Sequence, residues 1–239
     1  MNIVILISGG GSTMERVIKE CQSGGIPDSQ VAHVIASNSS AGGIAKAQAL
    51  GVPVTVLRPK ADFNGDEVVF GEAIIEICTT GQVDVIAQLG WLAKTPSNVV
   101  EKFSGRIINQ HPGILNYGFN DFGGRGMYGK VVHEATIRFM NKIKRPIMTE
   151  ATVHLVTNCY DQGTIIGVRG LPVLKTDTAD SLAVRLLPIE HDLVVEILRR
   201  WACGQRIEII KLGHVVHDNE VDLYKQAIEE AKQKYSQHH

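Results

Sequence analysis

Apolar positions in the first half of the chain alternate between two periods. "NIVILIS" (2–8), "VAHVIAS" (31–37), "VPVTVL" (52–57), "VDVIAQL" (83–89) and "RIIN" (106–109) are short runs rich in β-branched residues. Between them, "TMERVIKECQ" (13–22), "GGIAKAQAL" (42–50) and "EVVFGEAIIEIC" (67–78) carry apolar residues at helical spacing. Strands that are apolar without alternation are buried on both faces, and helices between them cover those faces. The pattern predicts an α/β fold with an open, mostly parallel, Rossmann-like sheet flanked by helices.

The pattern changes after His111. A glycine- and aromatic-rich stretch, "NYGFNDFGGRGMYG" (116–129), shows no period, and a helix is expected from about 130 to 141. "EATVHLVT" (150–157) and "TIIGVRGLPVL" (164–174) predict two late strands, antiparallel neighbours at the far side of the sheet. "DSLAVRLLPIEHDLVVEILRRWACG" (180–204) is a long amphipathic helix that Pro188 either kinks or divides. The expected division is one domain over 1–204 and a C-terminal extension over 205–239 bearing a surface helix from 221 onward.

With 239 residues, 44% hydrophobic and 21% charged, the chain has ordinary globular composition. A formal net charge of -1 supplies no general attraction to nucleic acid or anionic membrane, and neither partner is expected. Cys21, Cys78, Cys159 and Cys203 lie far apart without a CxxC pair, which fits free thiols in a reducing cytoplasm better than disulfides or structural zinc. The N-terminus lacks a basic segment before its apolar run and reads as a first strand, not a signal peptide.

Two segments carry candidate chemistry. "ISGGGSTM" (7–14) is a glycine-rich turn between strand and helix, where free backbone N–H groups and the helix dipole favour an anion. It lacks both the third glycine of the dinucleotide fingerprint and the lysine of the P-loop. A monophosphate site remains, or a tight turn in which Ser12 or Thr13 caps the helix. In "RIINQHPGILN" (106–116), Asn109 and His111 follow an apolar strand and precede a Pro-Gly break. Asn109 offers a carboxamide N–H to an oxyanion, and His111 exchanges a proton near neutral pH. Asp161, in "HLVTNCYDQGTII", is the candidate orienting carboxylate, or simply a residue supporting a turn. His154 reads equally well as a core histidine.

In ordered stretches from Met1 to about Gly204, the chain resembles the folate-dependent formyltransferases. The stretches are "MNIVILISGGGS", "ASNSSAGGIAKAQALGVPV", "DVIAQLGWL", "GRIINQHPGIL" and "VHLVTNCYDQGTII". The nearest likeness is to the branch whose acceptor is the amine of 5-phosphoribosylglycinamide, in de novo purine synthesis. The resemblance implies the formyltransferase fold, 10-formyltetrahydrofolate as co-substrate, no metal, and direct transfer through a tetrahedral oxyanion. It places catalysis on Asn109, His111 and Asp161, a phosphate loop on Gly10, Gly11, Ser12 and Thr13, and an acceptor-ribose contact on Glu190. Folate contacts fall on Leu92, Ala93, Lys94, Thr95, Asn109 and Thr157. In that scheme Asp161 favours a protonated His111, since opposite charge raises a histidine's pKa.

Several positions depart from the family pattern. Thr13 stands for a frequent Asn, "HPGILN" for "HPSLLP", Asp66 for a folate-side arginine, "GWLAKT" for "GFMRIL", and Leu187 for a glutamine. The 116–129 stretch is longer and richer in glycine, and Arg125 within it is a candidate for a lost anion contact. These departures leave other acceptors open: a nucleotide-linked amino sugar, or water as in a deformylase. They also leave open a non-catalytic relative that binds folate or phosphate, and the question of a homodimer.

Overall fold

The computed structural model describes residues 1–116, 122–205, 209 and 215–236. Positions 117–121 of the glycine-rich stretch, parts of the 205–239 extension and the terminal His238 and His239 lie outside the described residues. Seven strands are ordered β3-β2-β1-β4-β5-β6-β7 in a mostly parallel sheet. The chain divides into two compact units.

The first unit comprises Met1–Gln110, Leu155–Asn158 and Val194–Ile207. Its strands are β1 (Asn2–Ile7), β2 (Gln30–Ala36), β3 (Val54–Val56), β4 (Val85–Gln88) and β5 (Ile107–His111), and every pairing among them is parallel. Helices α1 (Ser12–Gln22), α2 (Gly43–Ala49) and α3 (Glu67–Thr80) connect them, as the apolar periods predict. α3 starts where it does because Asp66 is its N-cap, with its carboxylate accepting from the backbone of Val68 at 2.9 Å and Val69 at 3.1 Å. Phe70, Ile74 and Cys78 on α3 pack with Trp91, Val99, Phe103 and the inner residues of β1 and β4. Val99 and Phe103 belong to a helix that the sequence pattern did not reveal, α4 (Ser97–Lys102), and its C-cap. Six residues, "SNVVEK", are too few to show a helical period.

The chain runs from β1 outward to β3 on one side, then returns through β4 to β5 on the other. The order therefore reverses between β1 and β4, and loops after these strands flank a topological switch point, where open sheets bind ligands. β5 runs on to His111, two residues past the expected "RIIN" strand.

The second unit comprises His111–His154, Cys159–Leu193 and Glu208–His239. It holds α5 (Lys130–Ile143), the antiparallel pair β6 (Met148–Leu155) and β7 (Ile165–Pro172), and α7 (Val221–Ser236). α6 (Ala179–Ala202) begins here and is continuous through Pro188. On α7, Tyr224, Ala227 and Ala231 bury one face among Phe122, Phe139 and Met140. Phe122 stacks in a tilted pair with Phe139 at 5.8 Å and edge-on with Tyr224 at 5.5 Å. Ion pairs flank that apolar seam: Arg138 with Glu230, Lys142 with Glu230 and Lys234 with Glu134, each at 2.8 Å. Among the described residues, no helix is long and apolar enough to cross a membrane.

Candidate functional site

The glycine loop follows β1 at the switch point. Ser8 Oγ lies 2.6 Å from Ser37 Oγ at the end of β2 and accepts from the Leu92 backbone at 2.8 Å, while its own N–H donates to the Gly90 carbonyl. The ends of β1, β2 and β4 are thereby tied together. Gly11 is the N-cap of α1, with φ 64°, and no side-chain cap is present there among the described residues. Ser12 and Thr13 lie inside the first turn, one and two residues past the cap position, with Thr13 buried. A Cβ on Gly11 would stand 2.8 Å from the Gly43 Cα, so the loop rests backbone to backbone on α2. At Gly9 and Gly10 a Cβ would meet open space, leaving room above the loop.

The folate-side candidates follow β4. Leu92 is 58% exposed. Ala93 packs against the apolar core. Lys94 Nζ pairs with Glu67 at 2.8 Å, and Thr95 Oγ1 accepts from the buried Gln88 side chain at 2.6 Å. Asp66 caps α3 as described above. Asp66 and Ala93, two of the departures from the family pattern, thus both have structural roles.

Asn109 is half-buried on β5, in register with Gln88 on β4, at the carboxyl edge of the parallel strands. Thr157 is exposed and follows Val156, whose N–H donates to the Ile107 carbonyl at 2.9 Å. Asn109 and His111 are two residues apart on one strand, so the pleat sends their side chains to the same face.

In the second unit, His111 is 3% exposed. Its Nε2 lies 2.9 Å from the Phe122 carbonyl, and its Nδ1 lies 3.8 Å from Asp161 Oδ2. A carbonyl only accepts, so Nε2 carries the hydrogen and a neutral ring presents its lone pair at Nδ1. Asp161 also receives the Gly124 N–H on Oδ2 at 2.8 Å and faces His154 Nε2 from Oδ1 at 3.4 Å. Its backbone φ of 54° shows that Asp161 serves its turn as well as the histidines. Burial raises the Asp161 pKa, but His154, the His111 charge and the Gly124 amide together bring it below its ordinary value.

For His111 the balance runs the other way. Burial lowers its pKa by more than Asp161 and the Phe122 carbonyl raise it. Opposite charge at Asp161 thus works toward the protonated ring that the resemblance implies, and desolvation works against it. His133 on α5 is buried too, and burial followed by the His111 charge pushes it down to about 4.

Glu190 is buried on α6, whereas Leu187 one turn earlier is partly exposed. Arg125 is exposed between Gly124 and Gly126. Among the described residues, no cluster of three or more His, Cys, Asp or Glu could hold a metal ion. Sequence reasoning left two contributors unassigned: His154, and the backbone of Phe122–Gly124. Only the odd composition of the 116–129 stretch pointed toward the latter.

The model of the formyl transferase family matches residues 1–198. The chain is 31% identical to the chloroplastic phosphoribosylglycinamide formyltransferase of Arabidopsis thaliana over 206 residues, 86% of this chain and 66% of that protein. It is 34% identical to the corresponding protein of Vigna unguiculata over 205 residues, 86% of this chain and 62% of the other. The chain thus spans slightly less than two thirds of these relatives' length. The crystal structure of the phosphoribosylglycinamide formyltransferase from Brucella melitensis is similar with a TM-score of 0.70 and 31% identity, covering 87% of this chain and 98% of that one.

Proposed function

Because this chain belongs to the formyl transferase family, we propose that it transfers the formyl group of 10-formyltetrahydrofolate to the amine of 5-phosphoribosylglycinamide. The observation that carries this reading is the Asp161 carboxylate, set between two buried histidines and a backbone amide. Relatives named for that acceptor, at 31% and 34% identity, support it.

The acceptor nitrogen bonds to the formyl carbon, and the formyl oxygen gains negative charge. The Asn109 carboxamide N–H steadies that oxyanion. The new ammonium must lose a proton, and His111 takes it at Nδ1, directly or through one water, because Nε2–H is engaged by the Phe122 carbonyl. Asp161 faces Nδ1 and stabilises the imidazolium so formed. The proton then passes to the departing folate nitrogen as its bond to carbon breaks. The open space above Gly9 and Gly10, beside the start of α1, suits the acceptor phosphate, with Gly11, Ser12 and Thr13 alongside. Glu190 is assigned to the acceptor ribose, and the exposed Leu92 with Ala93 and Thr157 to the folate. Lys94 and Thr95 support that surface through Glu67 and Gln88. Four cysteines spaced far apart without a CxxC pair fit a reducing compartment, and we assign the protein to the cytoplasm.

Steady-state assays with phosphoribosylglycinamide and a 10-formylfolate test this reading. His111→Ala and Asp161→Asn are expected to lower kcat/KM by roughly 100-fold or more. A wild-type protein that releases formate from the folate without formylating the amine would move the assignment to hydrolysis.

A further inference from the structure

We infer that the backbone of Phe122–Gly124 is a positioning element of the reaction centre, holding the His111 ring and the Asp161 carboxylate in fixed relation. The inference rests on the catalytic reading of those two side chains. Three observations carry it, all within the second unit.

The Phe122 carbonyl accepts from His111 Nε2 at 2.9 Å, in a buried contact. Two residues on, the Gly124 N–H donates to Asp161 Oδ2 at 2.8 Å, the same oxygen that faces His111 Nδ1. Between them, Gly123 passes so close that a Cβ would lie 3.1 Å from Asp161 Cβ, 3.3 Å from Asp161 Oδ2 and 2.4 Å from Leu115 Cδ2. One tripeptide therefore grips the ring at one end and the carboxylate at the other, with no room for a side chain in the middle.

The tripeptide is itself fixed. The Phe122 ring is buried against Phe139 and Tyr224, and the Phe122 N–H donates to the Ile114 carbonyl at 2.9 Å. Two residues beyond His111, the Gly113 carbonyl accepts from Thr152 Oγ1 at 2.8 Å. The grip has a chemical consequence. By holding the hydrogen on Nε2, Phe122 makes Nδ1 the basic nitrogen and turns it toward the carboxylate that compensates its charge. Gly123 and Gly124 of the unusual 116–129 stretch thus serve the reacting pair, acting through His111 and Asp161.

Gly123→Ala tests this, because the added methyl presses on Asp161 without removing any hydrogen-bonding group. Three variants are compared with wild type: Gly123→Ala, Leu115→Ala, and the double variant in which the 2.4 Å clash is gone and only the approach to Asp161 remains. Folding is monitored by near-ultraviolet circular dichroism. The double variant carries the same expectation as Gly123→Ala if the single variant does not fold. The expected result is a fall in kcat of roughly 10- to 100-fold with both KM values within about twofold, since small misplacements act on the chemical step.

A second readout is independent of activity. The His111 ring, which faces Asp161, His154 and His133, is titrated by NMR, with Asp161→Asn as the reference for losing the carboxylate charge. In the Gly123→Ala variants His111 is expected to titrate at lower pH than in wild type, and in Leu115→Ala at the wild-type pH. Folded Gly123→Ala and double variants with wild-type kcat and wild-type His111 titration would overturn the inference. A wild type that formylates no amine would instead overturn the proposed function, while the titrations would still test the grip.

Discussion

His154 Nε2 lies 3.4 Å from Asp161 Oδ1, while His111 Nδ1 lies 3.8 Å from Oδ2, so one half-buried carboxylate serves two histidines. Burial alone would push the Asp161 pKa up, and His154 is the largest influence bringing it down. The second histidine therefore helps keep the carboxylate ionised, the form that supports proton uptake by His111.

His154→Phe is expected to shift the acid limb of the kcat/KM profile to higher pH. The sign follows from the Asp161 shift: its depressed pKa preserves the carboxylate as pH falls, and without His154 that protection weakens. The variant should lose activity first at mildly acid pH and least at alkaline pH. An acid limb that stays in place would show that His154 is a packing residue.

Asp66→Ala is expected to destabilise the protein by about 1 kcal/mol, the usual worth of an N-cap, with Asp66→Ser retaining most of it. Urea unfolding provides the measurement. The KM for the formylfolate should stay within about twofold of wild type. A large rise in that KM without loss of stability would return Asp66 to the folate surface.

Glu220 closes the chain onto the second unit through Arg145, at 2.8 Å and 2.6 Å in a bidentate pair. The Arg145 guanidinium holds the Glu220 carboxyl down to about 2 from its ordinary 4.5, against burial and with help from the His217 N–H. A depressed carboxylate contributes stability above its unfolded pKa and loses it as pH falls toward the folded one. Glu220→Gln should cost about 2 kcal/mol at neutral pH. The gap to wild type should close between pH 4.5 and about 2. A gap that persisted near pH 2 would assign the cost to shape instead of charge.

A Cβ on Gly113 would lie 2.4 Å from Val132 Cγ1 and 3.3 Å from His111 Nε2. Gly113→Ser is expected to cost about 1–3 kcal/mol by overpacking. Val132→Ala in the same chain should make the pair more stable than the sum of the single effects predicts. Strict additivity in thermal or urea unfolding would mean that the two positions do not meet.

The fold was readable wherever burial repeats along the chain. "NIVILIS" and "VDVIAQL" announce β1 and β4 because strands covered on both faces are apolar throughout, and the two late runs form the expected antiparallel pair β6 and β7. α4 escaped because six residues span fewer than two turns. Pro188 left two outcomes open, and α6 runs through it. In the candidate site, Asn109, His111 and Asp161 were visible from residue type and place. The desolvation of the His111 ring was not, because charge spacing alone carries no burial. Nor could the contacts of Phe122 and Gly124 be foreseen, since they join the ring and carboxylate by backbone atoms, which every residue possesses.

The backbone bond between Ile114 and Phe122 bears on how this protein can vary. It is made by main-chain atoms, so a substitution at either end that keeps the packing leaves it in place and leaves the Phe122 carbonyl against His111. Size at Gly123 is a different matter, because a single added methyl there meets Leu115 and Asp161.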